Sequence, residues 1–320
     1  MASFLRPAVT AYIQIARIDH WIKNIFVLPG AALAVILVDV SLSMAVVPTL
    51  IGLLSVCLIA SANYVLNEWL DRESDRHHPL KQSRPSVLGN VRARFVYIEY
   101  LLLIIAGLGL GSLLGREFVA FSLLLLLMGL LYNVKPIRMK DRVFLDVLSE
   151  SVNNPIRLLL GWSALVGGIL PPSSILLAYW MGGAFLMAMK RYAEYRFIDD
   201  PERAGSYRLS FRSYSEEKLL LSSFFYALSS AFFLGVFLVK YRIEFLLSFP
   251  LFAILFVWYA HIAMKPHSAS QAPEKLYREP LILVSVVCCA GLMSALLFVD
   301  LPVLHELFPS ELRNWSSFTR

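Results

Sequence analysis

Four polar residues just after a long apolar run have the types and spacing of a cation site. Asn67, Asp71 and Asp75 recur at every fourth position, and Glu68 lies beside the first of them. If a helix continues through this segment, the spacing places the first three on one face. Carboxylate and amide oxygens are hard ligands that suit Mg2+, which proteins often hold together with phosphate groups. We therefore predict that these four residues bind Mg2+ and that Asp71 and Asp75 are catalytic.

Basic residues follow this acidic group at once. They include Arg72, Arg76, Lys81 and Arg84. Lysine and arginine bind phosphate oxygens directly, and arginine can do so with two parallel hydrogen bonds. The order of acids and then bases is typical of a site for a diphosphate-bearing substrate. We predict that Lys81 and Arg84 bind that substrate.

A polar stripe interrupts the apolar segment 145–169. Its members follow the spacing i, i+4, i+7, i+8 and i+11 and so share one helix face; they are Asp146, Glu150, Asn153, Asn154 and Arg157. Each charged side chain near the centre of a bilayer costs about 2.5–3.5 kcal/mol, so the stripe is expected to face the interior of a helix bundle. An internal salt bridge, such as Glu150 with Arg157, is the structural alternative. The other reading is a polar substrate cavity, with Glu150 as a catalytic candidate.

Three further groups of polar residues stand at the ends of apolar segments. They are Arg17, Lys23 and Asn24; Tyr132, Lys135, Arg138 and Lys140; and Lys190, Tyr192, Glu194 and Asp199. Interfacial anchoring and ordinary solvated charge explain such residues in many membrane proteins. The crowding of Lys135, Arg138 and Lys140 into one short loop equally indicates phosphate contact. We predict that all three groups bind substrate, with Glu194 as a further catalytic candidate.

The elements that carry these residues are predicted to be membrane helices. Of 320 residues, 58% are hydrophobic and only 16% are charged, whereas a soluble domain carries about 25% charged residues. Apolar runs long enough to cross a bilayer recur along the chain. They lie near 24–43, 46–66, 95–115, 118–133, 145–169, 174–190, 219–239, 244–264 and 280–300. We predict an all-α polytopic membrane protein, a single domain over residues 1–320 with about nine transmembrane helices.

The distribution of positive charge predicts the orientation. Of the 29 Lys and Arg residues, 23 fall in the N-terminal segment and the alternate loops 67–94, 134–142, 190–218 and 265–279. Five fall on the opposite side, and Arg157 lies within a span. Loops rich in Lys and Arg remain in the cytoplasm, so we predict that the acidic group faces the cytoplasm. The net charge of +6 is accounted for by this asymmetry and does not indicate nucleic acid as a partner.

The chain resembles the UbiA superfamily of intramembrane prenyltransferases over essentially its whole length. The motif that carries the resemblance is N-[DE]-x-x-D-x-x-x-D at 67–75, with Glu68 where the family usually has Asp. The resemblance implies nine transmembrane helices around a central cavity, where two acidic cytoplasmic regions bind Mg2+ and a diphosphate. The second region departs from the aromatic prenyltransferases, because Tyr192 and Ala193 match but Arg196 is basic.

Within the superfamily the chain is more similar to decaprenyl-phosphate phosphoribosyltransferase-like members. Four segments support this: W-x-K-N at 21–24, H-P-x-K-x-x-R-P at 78–85, K-R-Y-A-E at 190–194 and S-x-x-S-Y at 210–214. The loop Y-N-x-K-P-x-R-x-K at 132–140 instead resembles prenyltransferases that act on quinone or pigment precursors.

The resemblance implies a Mg2+-dependent transferase at the cytoplasmic face of a membrane, expected to be a prokaryotic plasma membrane. The implied reaction moves a phosphoribosyl group from phosphoribosyl pyrophosphate to a polyprenyl phosphate, so a polyprenyl lipid and the bilayer are expected partners. One alternative is prenyl transfer from a polyprenyl diphosphate to an aromatic or other small acceptor. A transporter of an anionic metabolite is an alternative of a different class, although no clear inverted repeat is visible.

Overall fold

The computed structural model describes residues 10–266, 268–271, 276, 279–296 and 298–308. Within these ranges the chain forms helices joined by turns, and it contains no β-strand, which confirms the all-α prediction. A helical segment at residues 10–15 precedes a 3-10 helix, Ile18–Val27. The α-helices that follow are α1 (Leu28–Val38), α2 (Leu42–Asp75), α3 (Ala93–Gly111), α4 (Arg116–Asn133), α5 (Leu145–Ser151), α6 (Asn153–Ser163), α7 (Ser173–Ile198), α8 (Pro201–Tyr207), α9 (Glu216–Tyr241), α10 (Phe249–Met264), α11 (Pro280–Leu296) and α12 (Pro302–Leu307).

Six helical stretches of the described chain are long and apolar enough to cross a membrane. They are Thr10–Val38, Leu42–Asp75, Ala93–Leu114, Arg116–Asn133, Glu216–Tyr241 and Ile243–Met264. The predicted span 145–169 is instead two short helices, α5 and α6, and α7 is long enough but not apolar enough. The count of nine transmembrane helices is therefore not confirmed by length and composition.

Helix α2 carries the chain from an apolar segment into the acidic motif without a break. It has 34 residues and so extends about 51 Å at 1.5 Å per residue. The hydrocarbon core of a bilayer is only about 30 Å thick, so the helix is long enough for its polar end to extend beyond that core. The assumption that placed Asn67, Asp71 and Asp75 on one helix face is thus confirmed.

Helices α1 and α6 pack backbone against backbone at two glycines. A Cβ atom at Gly30 would lie 1.9 Å from the carbonyl oxygen of Leu158, and one at Gly161 would lie 1.9 Å from that of Val27. No other residue type fits at that separation. The close contact holds α6 against the 3-10 helix, so that polar side chains of the two elements meet.

Two hydrophobic cores flank the polar interior. One includes Ile59 of α2, Phe118 of α4 and Leu160 of α6. The other includes Met189 of α7 and Leu219 of α9. Because buried apolar surface fixes these helices relative to one another, the polar faces of α2, α4, α6 and α7 are held in place around a common cavity.

Candidate active site

A polar cavity of about 480 Å³ lies between α2, α4, α5, α6 and α7. It brings together side chains from segments that are far apart in the sequence. Fourteen of the residues singled out from the sequence line it: Arg17, Lys23, Asn67, Asp71, Asp75, Lys81, Arg84, Tyr132, Glu150, Asn153, Asn154, Arg157, Lys190 and Glu194.

The polar end of α2 presents a row of oxygen ligands to this cavity. Asn67, Asp71 and Asp75 all line it. The Asn67 amide donates one hydrogen bond to Asp71 Oδ2 at 3.0 Å and another to Asn133 Oδ1 at 2.6 Å. These bonds orient the first two members of the row, so α2 supplies two carboxylates and an amide on one wall.

Basic side chains neutralise both carboxylates of this row. Asp71 pairs with Lys140 and with Arg138, whose Nη2 lies 3.1 Å away, and Asp75 pairs with Arg84. Burial lowers the pKa of Lys140 to about 8, although the neighbouring Asp71 opposes that shift. Arg138 and Lys140 do not line the cavity. The prediction that they contact substrate directly is therefore replaced by a contact with Asp71.

Glu68 is held by hydrogen bonds from Arg17 and Ser86. Its Oε2 accepts two hydrogen bonds from Arg17, at 2.9 and 3.2 Å, and Ser86 donates to its Oε1 at 3.3 Å. It is buried but absent from the cavity wall. The structure thus departs from the prediction that Glu68 joins the metal ligands.

Glu194 of α7 occupies the opposite wall, between two cations. Its Oε1 accepts a hydrogen bond from Lys81 at 3.0 Å, and its Oε2 accepts one from Arg191 at 2.7 Å. Lys81 also contacts the hydroxyl of Tyr207. Lys190 lines the same cavity, as its i, i+4 spacing with Glu194 predicts.

The polar stripe on α5 and α6 also faces inward. Glu150, Asn153, Asn154 and Arg157 line the cavity. The alternative of a Glu150–Arg157 salt bridge is not realised, because Arg157 Nε donates to Asn24 Oδ1 at 3.0 Å. Glu150 makes no hydrogen bond or ion pair with any part of the chain that the structure describes.

Two residues that were predicted to contact substrate are buried next to the residues that line the cavity. Asn24 is fully buried and joins Arg157 to the Cys57 sulfur, to which it donates at 3.3 Å. Asp146 is fully buried as well and accepts hydrogen bonds from Tyr214 at 2.7 Å and Ser210 at 3.2 Å. Neither residue lines the cavity; each supports residues that do, and its contact with substrate stays a prediction.

Three other predicted residues lie away from the cavity. Lys135 is exposed in the loop after α4, and Asp199 is exposed where the chain leaves α7 with a left-handed backbone. Tyr192 packs in the hydrophobic core beside α9, and its hydroxyl accepts a hydrogen bond from Arg196 at 3.2 Å. The helix phase explains Tyr192, which lies two positions from Lys190 and so points to a different side. None of the three lines the cavity among the described residues, and their contact with substrate stays a prediction.

The cavity is also lined by residues for which no role in the site was predicted from the sequence. They are Arg191, Tyr207 and Arg208, together with Asn63, Tyr64 and Asn133. The sequence does indicate a role for Arg191, because it stands three positions before Glu194 and can form an ion pair with it on a helix. Tyr207 and Arg208 lie at the end of the short helix α8, where no periodic pattern indicates the direction of a side chain.

Among the residues that the structure describes, basic side chains outnumber carboxylates on the cavity wall. Eight basic side chains line it: Arg17, Lys23, Lys81, Arg84, Arg157, Lys190, Arg191 and Arg208. Four carboxylates line it: Asp71, Asp75, Glu150 and Glu194. Cations in a cleft with low-dielectric walls concentrate anionic ligands, so the site is suited to a substrate or substrates with several phosphate groups.

The chain matches a known family over most of its length. The sequence profile described as the UbiA prenyltransferase family aligns with residues 25–284. The chain belongs to the UbiA prenyltransferase family. Membership assigns this UbiA protein to the integral membrane transferases, in agreement with its apolar helices.

Individual relatives are more distant. The decaprenyl-phosphate phosphoribosyltransferase of Mycolicibacterium smegmatis is 32% identical over 218 residues, which are 66% of this chain and 64% of that protein. The protein of the same name from Mycobacterium tuberculosis is 30% identical over 66% of this chain and 68% of its own length. The chain thus spans slightly less than two thirds of the M. smegmatis relative.

A solved structure shares the fold. A UbiA homologue from Archaeoglobus fulgidus, bound to GPP and Mg2+, superimposes with a TM-score of 0.67 at 22% identity. The match covers 90% of this chain and 100% of the homologue. At this level of identity the likeness establishes the helical fold alone.

The oxygen ligands on α2 fit a Mg2+ ion that completes its shell with water and substrate phosphate. Within the described ranges no group of three His, Cys, Asp or Glu side chains is placed to hold a metal, so a site made of protein ligands only does not fit. Mg2+ commonly binds through one or two carboxylates and completes its shell with water and substrate phosphate oxygens. Asp71 and Asp75, with the Asn67 amide, meet that requirement on the cavity wall.

Proposed function

We propose that this UbiA-family protein transfers a phosphoribosyl group from phosphoribosyl pyrophosphate to a polyprenyl phosphate. The reaction is Mg2+-dependent and takes place at the cytoplasmic face of a prokaryotic plasma membrane. The two mycobacterial relatives support the choice of substrates by their names. The observation that carries the proposal is the excess of cations over carboxylates in the cavity.

The substrates differ in how much negative charge they bring into this cavity. Phosphoribosyl pyrophosphate has a diphosphate and a separate phosphate, and a polyprenyl phosphate adds a third phosphorylated position. Prenyl transfer to a neutral aromatic ring brings only one diphosphate. Because an excess of cations over carboxylates in a cleft favours anionic ligands, the eight basic side chains of the described cavity wall are better matched to the first pair of substrates.

The diphosphate of the donor would lie against α2. Asn67, Asp71 and Asp75 are the residues that would hold Mg2+ there, and the ion would supply charge neutralisation for the departing pyrophosphate. Lys81 and Arg84 lie at the same cavity, paired with Glu194 and Asp75. Since negative charge on the leaving group grows towards the transition state, such fixed cations stabilise that state more than the bound donor.

Glu150 is suited to the positive charge that develops on the sugar. It faces the cavity and has no ion pair among the described residues, whereas Asp71, Asp75 and Glu194 are each paired. An uncompensated carboxylate acts with its full field on a cationic anomeric carbon. The acceptor phosphate is already an anion, so the protein needs no general base to activate it.

A transfer assay tests the proposal. Purified protein is incubated with Mg2+, a polyprenyl phosphate and labelled phosphoribosyl pyrophosphate, and the label that enters the lipid fraction is counted. We expect Mg2+-dependent labelling of the lipid, and we expect Asp71→Asn to abolish it.

A parallel reaction distinguishes the alternative within the family. It offers geranylgeranyl diphosphate and aromatic acceptors to the same preparation. Prenylated aromatic product together with label that stays in water would reject phosphoribosyl transfer. Full activity of Asp71→Asn with either substrate pair would reject the role assigned to α2.

A further inference from the structure

Two arginines face the cavity side by side. Arg191 Nη2 and Arg208 Nη1 both donate to the hydroxyl oxygen of Tyr132, at 3.1 and 3.2 Å. All three residues line the cavity, although only 4% and 12% of the two arginine side chains is exposed. Guanidinium groups that share one acceptor are close neighbours, so their positive charges repel each other.

Asp146 is the carboxylate that both arginines share. One of its carboxylate oxygens lies 3.4 Å from Arg191 Nε and 3.8 Å from Arg208 Nη1. Hydrogen bonds from Tyr214 and Ser210 hold the carboxylate in place. Asp146 thus lies between two guanidinium groups and balances at most one of their two charges.

Glu194 supplies only part of the missing negative charge. It accepts a hydrogen bond from Arg191 at 2.7 Å but also pairs with Lys81 at 3.0 Å. Lys190 adds a further cation to the same cavity. The group of Lys81, Lys190 and the two arginines therefore exceeds the charge of Glu194 and Asp146.

The two arginines also have donors that lack a partner. The Nε atoms of Arg191 and Arg208 are buried and make no hydrogen bond within the described residues. Arg191 Nε is within ion-pair distance of Asp146, but the contact does not have hydrogen-bond geometry. Buried charged donors without acceptors are costly. An anion with several oxygens would supply acceptors and offset the repulsion.

We propose that Arg191, Arg208 and Tyr132 form a second phosphate subsite that takes a phosphate monoester, apart from the diphosphate position on α2. The Tyr132 oxygen accepts from both arginines, so its own hydrogen remains available to a phosphate oxygen. Asp146 is a positioning residue that holds the two guanidinium groups. This proposal rests on the proposed function and deepens it, because the donor's 5-phosphate and the lipid phosphate are both monoesters.

Binding of three probes to the full-length protein in detergent with Mg2+ tests the subsite. Ribose 5-phosphate has a monoester only, inorganic pyrophosphate has a diphosphate only, and decaprenyl phosphate represents the lipid acceptor. Isothermal titration calorimetry gives each affinity. In Arg208→Gln we expect the affinity for one monoester to fall about tenfold, which is the usual effect of losing a charge-assisted hydrogen bond. We expect pyrophosphate affinity to stay within about twofold.

A matched control and a second variant complete the design. Arg212→Gln removes the same charge from an exposed side chain four positions away and should leave all three affinities unchanged. Arg208→Lys retains the charge but not the planar fork, and it should weaken the same monoester by a smaller factor. Retained pyrophosphate binding shows that a variant is folded, and Arg208→Lys replaces Arg208→Gln if the latter does not fold.

The probes separate the possible outcomes. Loss of ribose 5-phosphate affinity assigns the subsite to the donor, and loss of decaprenyl phosphate affinity assigns it to the acceptor. Unchanged affinity for both monoesters, an equal loss for pyrophosphate, or no monoester binding to the unmodified protein would overturn the proposal. Monoester binding that depends on Arg208 but is accompanied by no phosphoribosyl transfer rejects the proposed function alone.

Discussion

At the scale of single residues, neighbours decide which cavity carboxylate can act on a substrate. Glu194 is held between Lys81 and Arg191. Glu150 lines the same cavity, and the described part of the chain offers it no hydrogen bond or ion pair. Two glutamates that look equivalent in the sequence therefore differ in the charge that they present.

Glu150→Gln tests this difference. We expect kcat to fall about 100-fold, because the carboxylate opposes a charge that exists only near the transition state. The KM for the donor should change little, since the bound donor does not yet carry that charge. Steady-state release of pyrophosphate measures both constants. Glu99→Gln, which alters a glutamate outside the cavity, is the control, and an unchanged kcat for Glu150→Gln would contradict the role.

His78 is fixed in its neutral form by its surroundings. Burial lowers its pKa to about 3, and the charge of Lys81 acts in the same direction. Its Nδ1 accepts the backbone N–H of Leu80 at 3.1 Å, and its ring packs against Tyr207 with a centroid separation of 4.6 Å. The ring thus supports the loop that carries Lys81.

This neutral histidine predicts a pH dependence of stability. An unfolded histidine titrates near 6.5, so between pH 6.5 and about 3 the unfolded chain binds a proton that the folded protein does not. Stability from this group is therefore lost as the pH falls through that window. His78→Gln removes the effect. As the pH is lowered from 7 to 5, Tm of the unmodified protein in thermal unfolding should therefore fall further than Tm of the variant. A difference in Tm that stays constant with pH would contradict this reading.

At the scale of helices, the contact between α1 and α6 positions one wall of the cavity. Gly161→Ala would place a methyl group 1.9 Å from the backbone oxygen of Val27, and a backbone atom cannot move aside as a flexible side chain can. We expect a loss of about 1–3 kcal/mol in stability, as for other overpacked sites, and a lower Tm. Gly235→Ala in α9 meets nothing within 4 Å, so its Tm should not fall. Equal midpoints for the two variants would show that the contact is unimportant.

Periodicity allowed part of this architecture to be predicted from the sequence. The four-residue repeat of Asn67, Asp71 and Asp75 survives in α2, and the stripe that contains Glu150 and Arg157 faces the cavity. In both cases the reason is the same, since a polar face on an apolar helix has to be buried away from lipid. The all-helical class followed from composition by the same physics.

The remaining features depend on tertiary contacts that no periodic pattern in the sequence indicates. Arg208 enters the cavity from a turn, and Glu68 is committed to Arg17, which is distant in the sequence. Asp146 belongs to the predicted stripe but is taken up by hydrogen bonds from Tyr214 and Ser210. Such choices among partners are made by packing, so residue type and spacing alone do not predict them.

At the scale of the whole molecule, the asymmetry of positive charge predicts that the cavity opens towards the cytoplasm. His77→Cys and Arg116→Cys place exposed thiols on opposite predicted sides of the membrane. With the exposed Cys288 changed to Ser, a membrane-impermeant thiol reagent applied to intact cells should label Arg116→Cys and not His77→Cys. Labelling of both after the membrane is opened is the control, and the reverse pattern in intact cells would overturn the orientation.

The central claim is that Asp71 and Asp75 hold a divalent cation together with a diphosphate. Equilibrium dialysis of Mn2+, which accepts the same hard oxygen ligands as Mg2+, tests it without relying on turnover. We expect the unmodified protein to retain Mn2+ when pyrophosphate is present, and we expect Asp71→Asn and Asp75→Asn each to lose this retention. If both variants retain as much Mn2+ as the unmodified protein, the claim is contradicted.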